Sequence, residues 1–273
     1  MKLLKWFALP VLFAGLFITA CKKDNLTLGF ENSEQMVASE DQTTAEDLYA
    51  DVEDQADWAI ETRGAGPDPC PVVTIDPDDG SYPRTITIDF GDGCVGPKGR
   101  VRKGKIIVTV TDTITNAGAV RTTTFEDFYI DGVKVEGTKT LTNLGFDDDG
   151  NVAFNRTVTG GKLTFPNDDV ATWESDFTLT QVEGGNTPTY LDNVFEITGH
   201  SSGVNRHGKS YSTEILEPVV RKKLCPWAVD GVLSLTIEDK TVTIDYGDGD
   251  CDNKAILTAP DGSEHIIKIR KWW

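Results

Sequence analysis

One stretch of the sequence occurs twice and restricts the possible folds. Residues 87–94 read TIDFGDGC, and residues 243–251 read TIDYGDGDC. A Cys-Pro pair precedes each copy, at residues 70–71 and 225–226. Each copy therefore reads as one unit, in which two strands are joined by a turn, end in a Gly/Asp-rich segment and carry a cysteine at each extremity.

The cysteines of this repeat predict two disulfides. Four cysteines allow three pairings, and the repeat favours Cys70–Cys94 and Cys225–Cys251 because each pair brackets one hairpin. Folding each segment at its midpoint brings its two cysteines together. A zinc site of four thiolates is the alternative, but the sequence has no Cys-x₂₋₄-Cys spacing.

The N-terminus has the features of an exported protein. Residues 1–20 begin with Lys2 and Lys5, continue as an apolar run and end in small residues before Cys21. This pattern predicts a secretory signal peptide. Residues 18–21 read ITAC and resemble the lipobox of bacterial lipoproteins, and the resemblance implies that Cys21 is lipidated. The chain is then anchored by lipid in a compartment where disulfides persist.

The residues that follow Cys21 bear on location. Position 22, directly after Cys21, is a lysine. An aspartate there would resemble an inner-membrane retention signal, so its absence favours the outer membrane. Residues 22–24 read KKD and resemble the charged tags of surface-exposed lipoproteins of Bacteroidota-type bacteria. The lipobox, an acidic helix and the paired Cys-bounded hairpins together resemble a group of uncharacterised Bacteroidota-type outer-membrane and surface lipoproteins. This resemblance implies a cell-surface location, with a periplasm-facing orientation as the alternative, and it implies no activity.

The charge of the chain limits its partners. Residues 1–20 hold two lysines and no acidic residue, so their removal changes the formal charge from −18 to −20. Contacts to nucleic-acid or lipid phosphates require a basic surface, which argues against nucleic acid and against electrostatic adhesion to anionic lipid. The expected partners are the membrane, through the lipid anchor, and a glycan or an envelope protein.

The remaining chain divides into three segments. Residues 21–42 are polar and acidic and predict a flexible tether. Residues 43–64 have a capping-box-like start and apolar residues at helical spacing, which predicts an amphipathic helix. We interpret its acidic face as solvated, with a docking surface as the alternative. From residue 65 to residue 273 the period changes to two, which predicts an all-β domain.

The turn signals predict the arrangement of the strands. They recur at intervals too short for crossover helices, so the strands are expected to be antiparallel and joined locally. Roughly a dozen such strands form a large meander sheet, which must close or double over to cover its edges. The predicted fold is therefore all-β, a sandwich or a curved, half-barrel-like sheet, preceded by one short amphipathic helix.

The Gly-Asp-Gly turns of the repeat are a candidate site. Residues 90–93 and 246–249 resemble the aromatic-Gly-Asp-Gly turn of polycystic-kidney-disease (PKD) type β-sandwich domains, over a short local stretch only. Glycine at positive φ and an aspartate that accepts backbone N–H bonds explain the turn without a ligand. The alternative is calcium, because carboxylates are hard oxygen ligands. The candidate ligands are Asp89, Asp92, Asp245 and Asp248. No other cofactor is expected.

Two further groups of residues are candidates for ligand binding. Arg100 and Arg102 belong to a basic cluster that could hold an anionic ligand, or could pair with carboxylates across neighbouring strands. Trp173, Trp227 and Trp272 could stack on sugar rings, or could pack in the core.

Two functions remain open from the sequence. The first is a non-enzymatic, lipid-anchored envelope protein that acts as a binding or structural module for a glycan or protein ligand. The second is a polysaccharide-directed hydrolase that uses a carboxylate pair. No catalytic residue is assigned, because acidic residues occur throughout the chain.

Overall fold

The computed structural model describes residues 33–64, 70–96, 99–185, 187 and 189–269. Cys21 and Trp272 lie outside the described residues, as do the predicted signal peptide and residues 21–32 of the predicted tether. The described part of the chain forms one α-helix, α1 (Glu34–Thr62), followed by fourteen β-strands. The strands are β1 (Val72–Asp76), β2 (Arg84–Asp89), β3 (Cys94–Val95), β4 (Val101–Val110), β5 (Val120–Ile130), β6 (Val133–Phe146), β7 (Val152–Thr164), β8 (Val170–Glu183), β9 (Val194–Val204), β10 (Ser210–Lys222), β11 (Ala228–Ile237), β12 (Lys240–Asp248), β13 (Lys254–Thr258) and β14 (Glu264–Lys268).

All fourteen strands form one open antiparallel sheet. They follow chain order, except that β3 pairs with β4 beside the main path. Short turns connect neighbours: β5 passes to β6 through Asp131 and Gly132, whose φ angles of 49° and 84° give the two-residue hairpin that an Asp-Gly pair favours. The prediction of a large antiparallel meander sheet preceded by a helix is therefore confirmed.

The sheet curves around the helix. Within one turn of α1, Glu46 accepts a hydrogen bond from Tyr246 of β12, and Asp47 pairs with Arg100, which directly precedes β4. In a flat sheet β4 and β12 would lie about 38 Å apart at about 4.8 Å per strand, whereas one helical turn rises about 5.4 Å. Only a curved sheet brings both strands to one turn, so the sheet is a single curved layer and not a two-sheet sandwich.

Sequence signals mark both ends of α1. Ser33 caps its N-terminus and accepts a hydrogen bond from the backbone N of Met36 at 3.2 Å. At the C-terminus, Arg63 and Gly64 have left-handed φ angles of 50° and 71°. Glycine adopts this conformation without steric cost, which ends the helix near its predicted end.

The start of α1 differs from the prediction. The helix begins at Glu34 and not at residue 43, so residues 34–42 are helical and are not part of a tether over 21–42. Gln42 is fully buried. The prediction was wrong because this stretch buries polar residues (Gln35, Ser39, Asp41 and Gln42) beside apolar ones, and polar side chains can be buried where they find hydrogen-bond partners.

The apolar core lies between α1 and the concave face of the sheet. Leu48 on the helix is fully buried, as are Ile86 and Ile88 on β2, while Thr85 and Thr87 alternate with them on the outer face. A row of directly paired threonines crosses five neighbouring strands of that outer face, namely Thr85, Thr109, Thr122, Thr140 and Thr157. This row is rich in hydroxyl groups and ends at Asp76 on β1 and Asp176 on β8.

The structure has the two disulfides that the repeat predicts. Cys70 pairs with Cys94 and Cys225 with Cys251, at Cα separations of 5.9 and 5.8 Å. Each disulfide ties together the ends of one copy of the repeat, in which β1 pairs with β2 or β11 pairs with β12.

Each disulfide is expected to stabilise the chain independently. The paired cysteines are 24 and 26 residues apart, and closing loops of this size in the unfolded chain contributes about 3.5 kcal/mol in the chain-entropy model. We expect the double serine variants C70S/C94S and C225S/C251S each to lose about that amount in guanidinium unfolding, and their losses to add. Mass mapping of a Cys94–Cys251 bridge in the wild-type chain would contradict the two-hairpin arrangement.

Candidate functional site

The charges of α1 complement those of the concave face. The helix carries ten Asp and Glu residues and no Lys or Arg. The strands and loops of the sheet direct cations toward it. We call the resulting set the interior ion network; its sheet members are Arg100, Arg102, Arg121, Lys139 and Lys223, and its helix members are Asp47, Asp51, Glu53, Asp54 and Asp57.

The first part of the interior ion network holds both arginines of the predicted ligand site. Arg100 pairs with Asp47 and, at 2.7 Å, with Asp51. Arg102 binds Asp51 through two hydrogen bonds, of 2.6 and 2.8 Å. Burial raises the pKa of Asp51, but the hydrogen bonds and charges of the two arginines outweigh it and lower that pKa overall. Both arginines are buried, so their assignment as an open anion site was wrong. They pair with carboxylates of the helix, and Arg100 also lies 3.5 Å from Asp131 in the neighbouring β5–β6 turn.

The second part of the network is centred on Glu53. This carboxylate pairs with both Arg121 and Lys139. The Lys139 Nζ also donates a 2.9 Å hydrogen bond to the backbone O of Tyr49. Burial lowers the pKa of Lys139 well below its ordinary value, and burial lowers that of Arg121 to about 10. Glu53 is therefore the carboxylate that compensates two buried cations.

Lys223, which follows β10, pairs with two carboxylates of α1. Its ammonium lies 2.6 Å from Asp57 and 2.9 Å from Asp54. Burial lowers the pKa of Lys223, but the two carboxylates outweigh it and raise that pKa overall. Asp57 also pairs with Arg121 at 2.7 Å, which joins this part of the network to Glu53.

The hairpin between β9 and β10 holds the N-terminal part of α1. Asn205 donates to Glu34 at 2.8 Å, and Arg206 pairs with both Glu40 and Asp41 at 2.9 Å. Burial raises the pKa of Asp41 to about 6 and outweighs the opposite effect of Arg206. These contacts explain why residues 34–42 belong to the folded domain.

The aromatic residue of each repeat copy packs inside the curved sheet. Phe90 is buried and lies 5.7 Å, centroid to centroid, from Phe128. Tyr246 donates a 2.9 Å hydrogen bond to Glu46 of α1, and burial raises the pKa of its hydroxyl well above the ordinary value. The repeat therefore supplies core residues, and in its second copy a polar contact to the helix.

The tryptophan candidates are not brought together on a surface. Trp173 is 1 % exposed, stacks on Tyr49 at 5.2 Å and donates to Gln42 of α1 at 2.8 Å. Its assignment to sugar stacking was wrong, because α1 covers it. Trp227 is half-buried against the core, and Trp272 lies outside the described residues.

The candidate calcium ligands have a simpler role in the turns. Asp89 accepts a 2.8 Å hydrogen bond from the backbone N of Gly91, and Asp245 accepts the equivalent bond from Gly247. Asp92 and Asp248 are exposed, and Asp92 and Asp89 border a shallow cavity of about 460 Å³ beside Cys70. Among the described residues, no three His, Cys, Asp or Glu side chains gather as a metal site. The turn geometry therefore explains Asp89 and Asp245 without calcium.

The inward cations could have been identified from the sequence, because they lie on the apolar faces of their strands. Lys139 shares its strand face with Val135 and Leu141, and Arg156 shares its face with Phe154 and Val158. A charged residue on the apolar face of a strand must find a buried partner. The identity of that partner, the acidic helix, comes only from the folded structure.

Comparisons with protein-family models, with curated proteins and with solved structures found no match. In the described part of the chain, no helix has the length and apolar character needed to cross a bilayer. The carboxylates of the interior ion network pair with cations beneath the helix, and this arrangement does not present the acid and nucleophile of a hydrolase to a polysaccharide.

Proposed function

We propose that the chain is a lipid-anchored protein of the outer membrane, facing the cell surface, that binds a glycan through the outer face of its sheet. The observation that carries this proposal is the position of α1. The helix occupies the concave face, where its carboxylates pair with inward cations. The extended surface open to a large ligand is therefore the outer face, and its row of threonines offers neutral hydroxyl groups to a hydroxyl-rich partner.

The same position of α1 supports a role for the anchor. Glu34 follows Cys21 by 13 residues, a distance that an extended chain spans in at most about 45 Å. A lipid on Cys21 would hold the helix, and through the interior ion network the whole sheet, within that distance of the bilayer. Two or more acyl chains give stable attachment, whereas one gives only marginal binding.

The substitution Cys21→Ser tests the anchor. We expect the wild-type chain in the outer-membrane fraction after alkaline washing, and the serine variant in the soluble envelope fraction. The matched control is C225S/C251S, which removes two other cysteines and is expected to remain with the membrane. A Cys21→Ser chain that stays in the washed membrane fraction would contradict lipid anchoring.

Glycan binding is tested separately with the soluble Cys21→Ser chain. We expect it to bind members of a glycan array. If this chain binds no glycan on the array but recovers an envelope protein from an extract, the ligand is a protein and glycan binding is contradicted.

A further inference from the structure

The outer face also carries an aromatic ring flanked by two lysines. The strand register places Lys103 of β4, Tyr129 of β5 and Lys134 of β6 opposite one another in one row. The ammonium groups of Lys103 and Lys134 lie 5.4 and 6.0 Å from the centroid of the Tyr129 ring. Lys103 is exposed, and the other two side chains are half-buried. Aromatic and cationic groups thus adjoin on a face that solvent reaches.

A β-bulge in β5, opposite Gly104 of β4, places Tyr129 on this face. The register with β5 shifts between Lys103 and Lys105. Gly104 has a φ of 81° and lies so close to the backbone of Asp127 that a Cβ would clash with its carbonyl oxygen. Bulges of this kind change the direction of the side chains beside them. Here the bulge shifts the alternation of β5, so that Thr123 and Phe128 both face inward and Tyr129 faces outward. On β4, Arg102 faces α1 and Lys103 faces outward by ordinary alternation.

Lys103 differs from its outward neighbours in its contacts. Lys105 lies 3.9 Å from Asp89, and Lys134 lies 3.5 Å from Asp127. Among the described residues, the contact of Lys103 is the ring of Tyr129, and no carboxylate lies within ion-pair distance of it. In a chain with a formal charge of −18, Lys103 is thus a cation available to an external anion.

We infer that Tyr129, Lys103 and Lys134 form a binding site for an acidic saccharide, that is, an oligosaccharide that contains a uronic acid. This inference rests on the proposed function and names the class of its glycan. The ring of Tyr129 packs against the C–H face of a sugar, and Lys103 pairs with the sugar carboxylate. Lys134 lies on the other side of the row, beside Asp127 and Glu136, whose oxygens accept hydrogen bonds from sugar hydroxyls.

The existing contact between Lys103 and the ring does not block this site. An exposed cation–π contact is weaker than a charge-assisted hydrogen bond to a carboxylate. The ligand carboxylate therefore draws Lys103 away from the ring and uncovers the face on which the sugar packs. The neighbouring carboxylates disfavour a long polyanion, so the site suits a short acidic oligosaccharide.

The probe for the test is tetragalacturonate, with maltotetraose as the neutral oligosaccharide of equal length. Binding to the soluble Cys21→Ser chain is measured by isothermal titration at low ionic strength. We expect Tyr129→Ala and Lys103→Gln each to weaken tetragalacturonate binding about tenfold or more. Tyr129→Phe keeps the ring and is expected to bind within about twofold of the unsubstituted chain. The matched control is Lys254→Gln, an exposed lysine of β13 paired with Asp252 at 2.8 Å, which should change nothing.

The outcomes separate this inference from the proposed function. Absence of tetragalacturonate binding, equal binding of maltotetraose, or binding unchanged by both Tyr129→Ala and Lys103→Gln would overturn the acidic-saccharide site. If the chain still binds other glycans on an array, the proposed function stands without it. If it binds no glycan at all, both fail. Circular dichroism of each variant confirms that these surface substitutions leave the fold intact.

Discussion

Replacing Glu53 with glutamine is expected to lower the free energy of unfolding by about 3–5 kcal/mol. Glu53 pairs with Arg121 and Lys139, which are each 2 % exposed. Glutamine keeps the volume of the side chain but leaves two buried cations without their shared carboxylate. Arg121 retains Asp57 at 2.7 Å, so the larger part of the loss falls on Lys139. Guanidinium unfolding of the soluble Cys21→Ser chain measures the effect.

Two comparisons test the cause of that loss. Glu61→Gln removes an exposed carboxylate from the same helix and should change stability by less than about 0.5 kcal/mol. Adding Lys139→Met to Glu53→Gln should recover part of the loss, because the buried cation is removed together with its partner. Equal, small effects of Glu53→Gln and Glu61→Gln would mean that the carboxylate of Glu53 is not buried between helix and sheet.

Replacing Trp173 with alanine is expected to cost about 3–5 kcal/mol, the range for removal of a large buried aromatic side chain. The ring stacks on Tyr49 at 5.2 Å, and its Nε1 donates to Gln42 at 2.8 Å. The substitution therefore leaves a cavity between β8 and α1 and removes one hydrogen bond to the helix. Thermal and guanidinium unfolding report the loss.

Substitutions on the same strand separate packing from the hydrogen bond. Trp173→Phe keeps an aromatic ring and loses the Nε1 donor, and should cost about 1–3 kcal/mol. Thr178→Ala changes an outward residue of β8 and should cost less than about 0.5 kcal/mol. A stable Trp173→Ala chain that has lost glycan binding would reverse the assignment and make Trp173 a ligand contact.

The sheet and its disulfides were predictable because their signals are local. Period-two alternation, as in Thr85 to Ile88, identifies a strand without reference to its neighbours. Closely spaced turns such as Asp131-Gly132 then require antiparallel neighbours. The repeat adds one long-range restraint, since each copy has a cysteine at both ends and forms one hairpin.

The contents of the concave face were not predictable, because they depend on how distant segments meet. Residues 34–42 lack an apolar period, and their burial requires the β9–β10 hairpin and Trp173 as partners. The sequence also did not show which face of the sheet each neighbouring cation occupies. Arg102 and Lys103 are adjacent in the chain, yet one faces α1 and the other faces solvent. Strand phase separates them, whereas the sequence alone groups them as one basic cluster.

Trp173 shows why residue type was a poor guide to a ligand site. It lies on the same face of β8 as Ala171 and Phe177, which are buried. The alternation of the sequence shows that these residues share a face, but whether that face is covered depends on α1. By contrast, the cross-strand row of Lys103, Tyr129 and Lys134 depends on a register that only the structure supplies.

Hydrogen exchange of the backbone amides of α1 measures whether this acidic helix is built into the curved sheet from Glu34 onward. In the ligand-free soluble chain, we expect the amides of residues 37–42 to be protected together with those of residues 43–62 and of strands β5 to β8. Amides of residues 37–42 that exchange as fast as an unfolded chain, while residues 43–62 remain protected, would contradict this expectation. The N-terminal third of the helix would then be a tether after all.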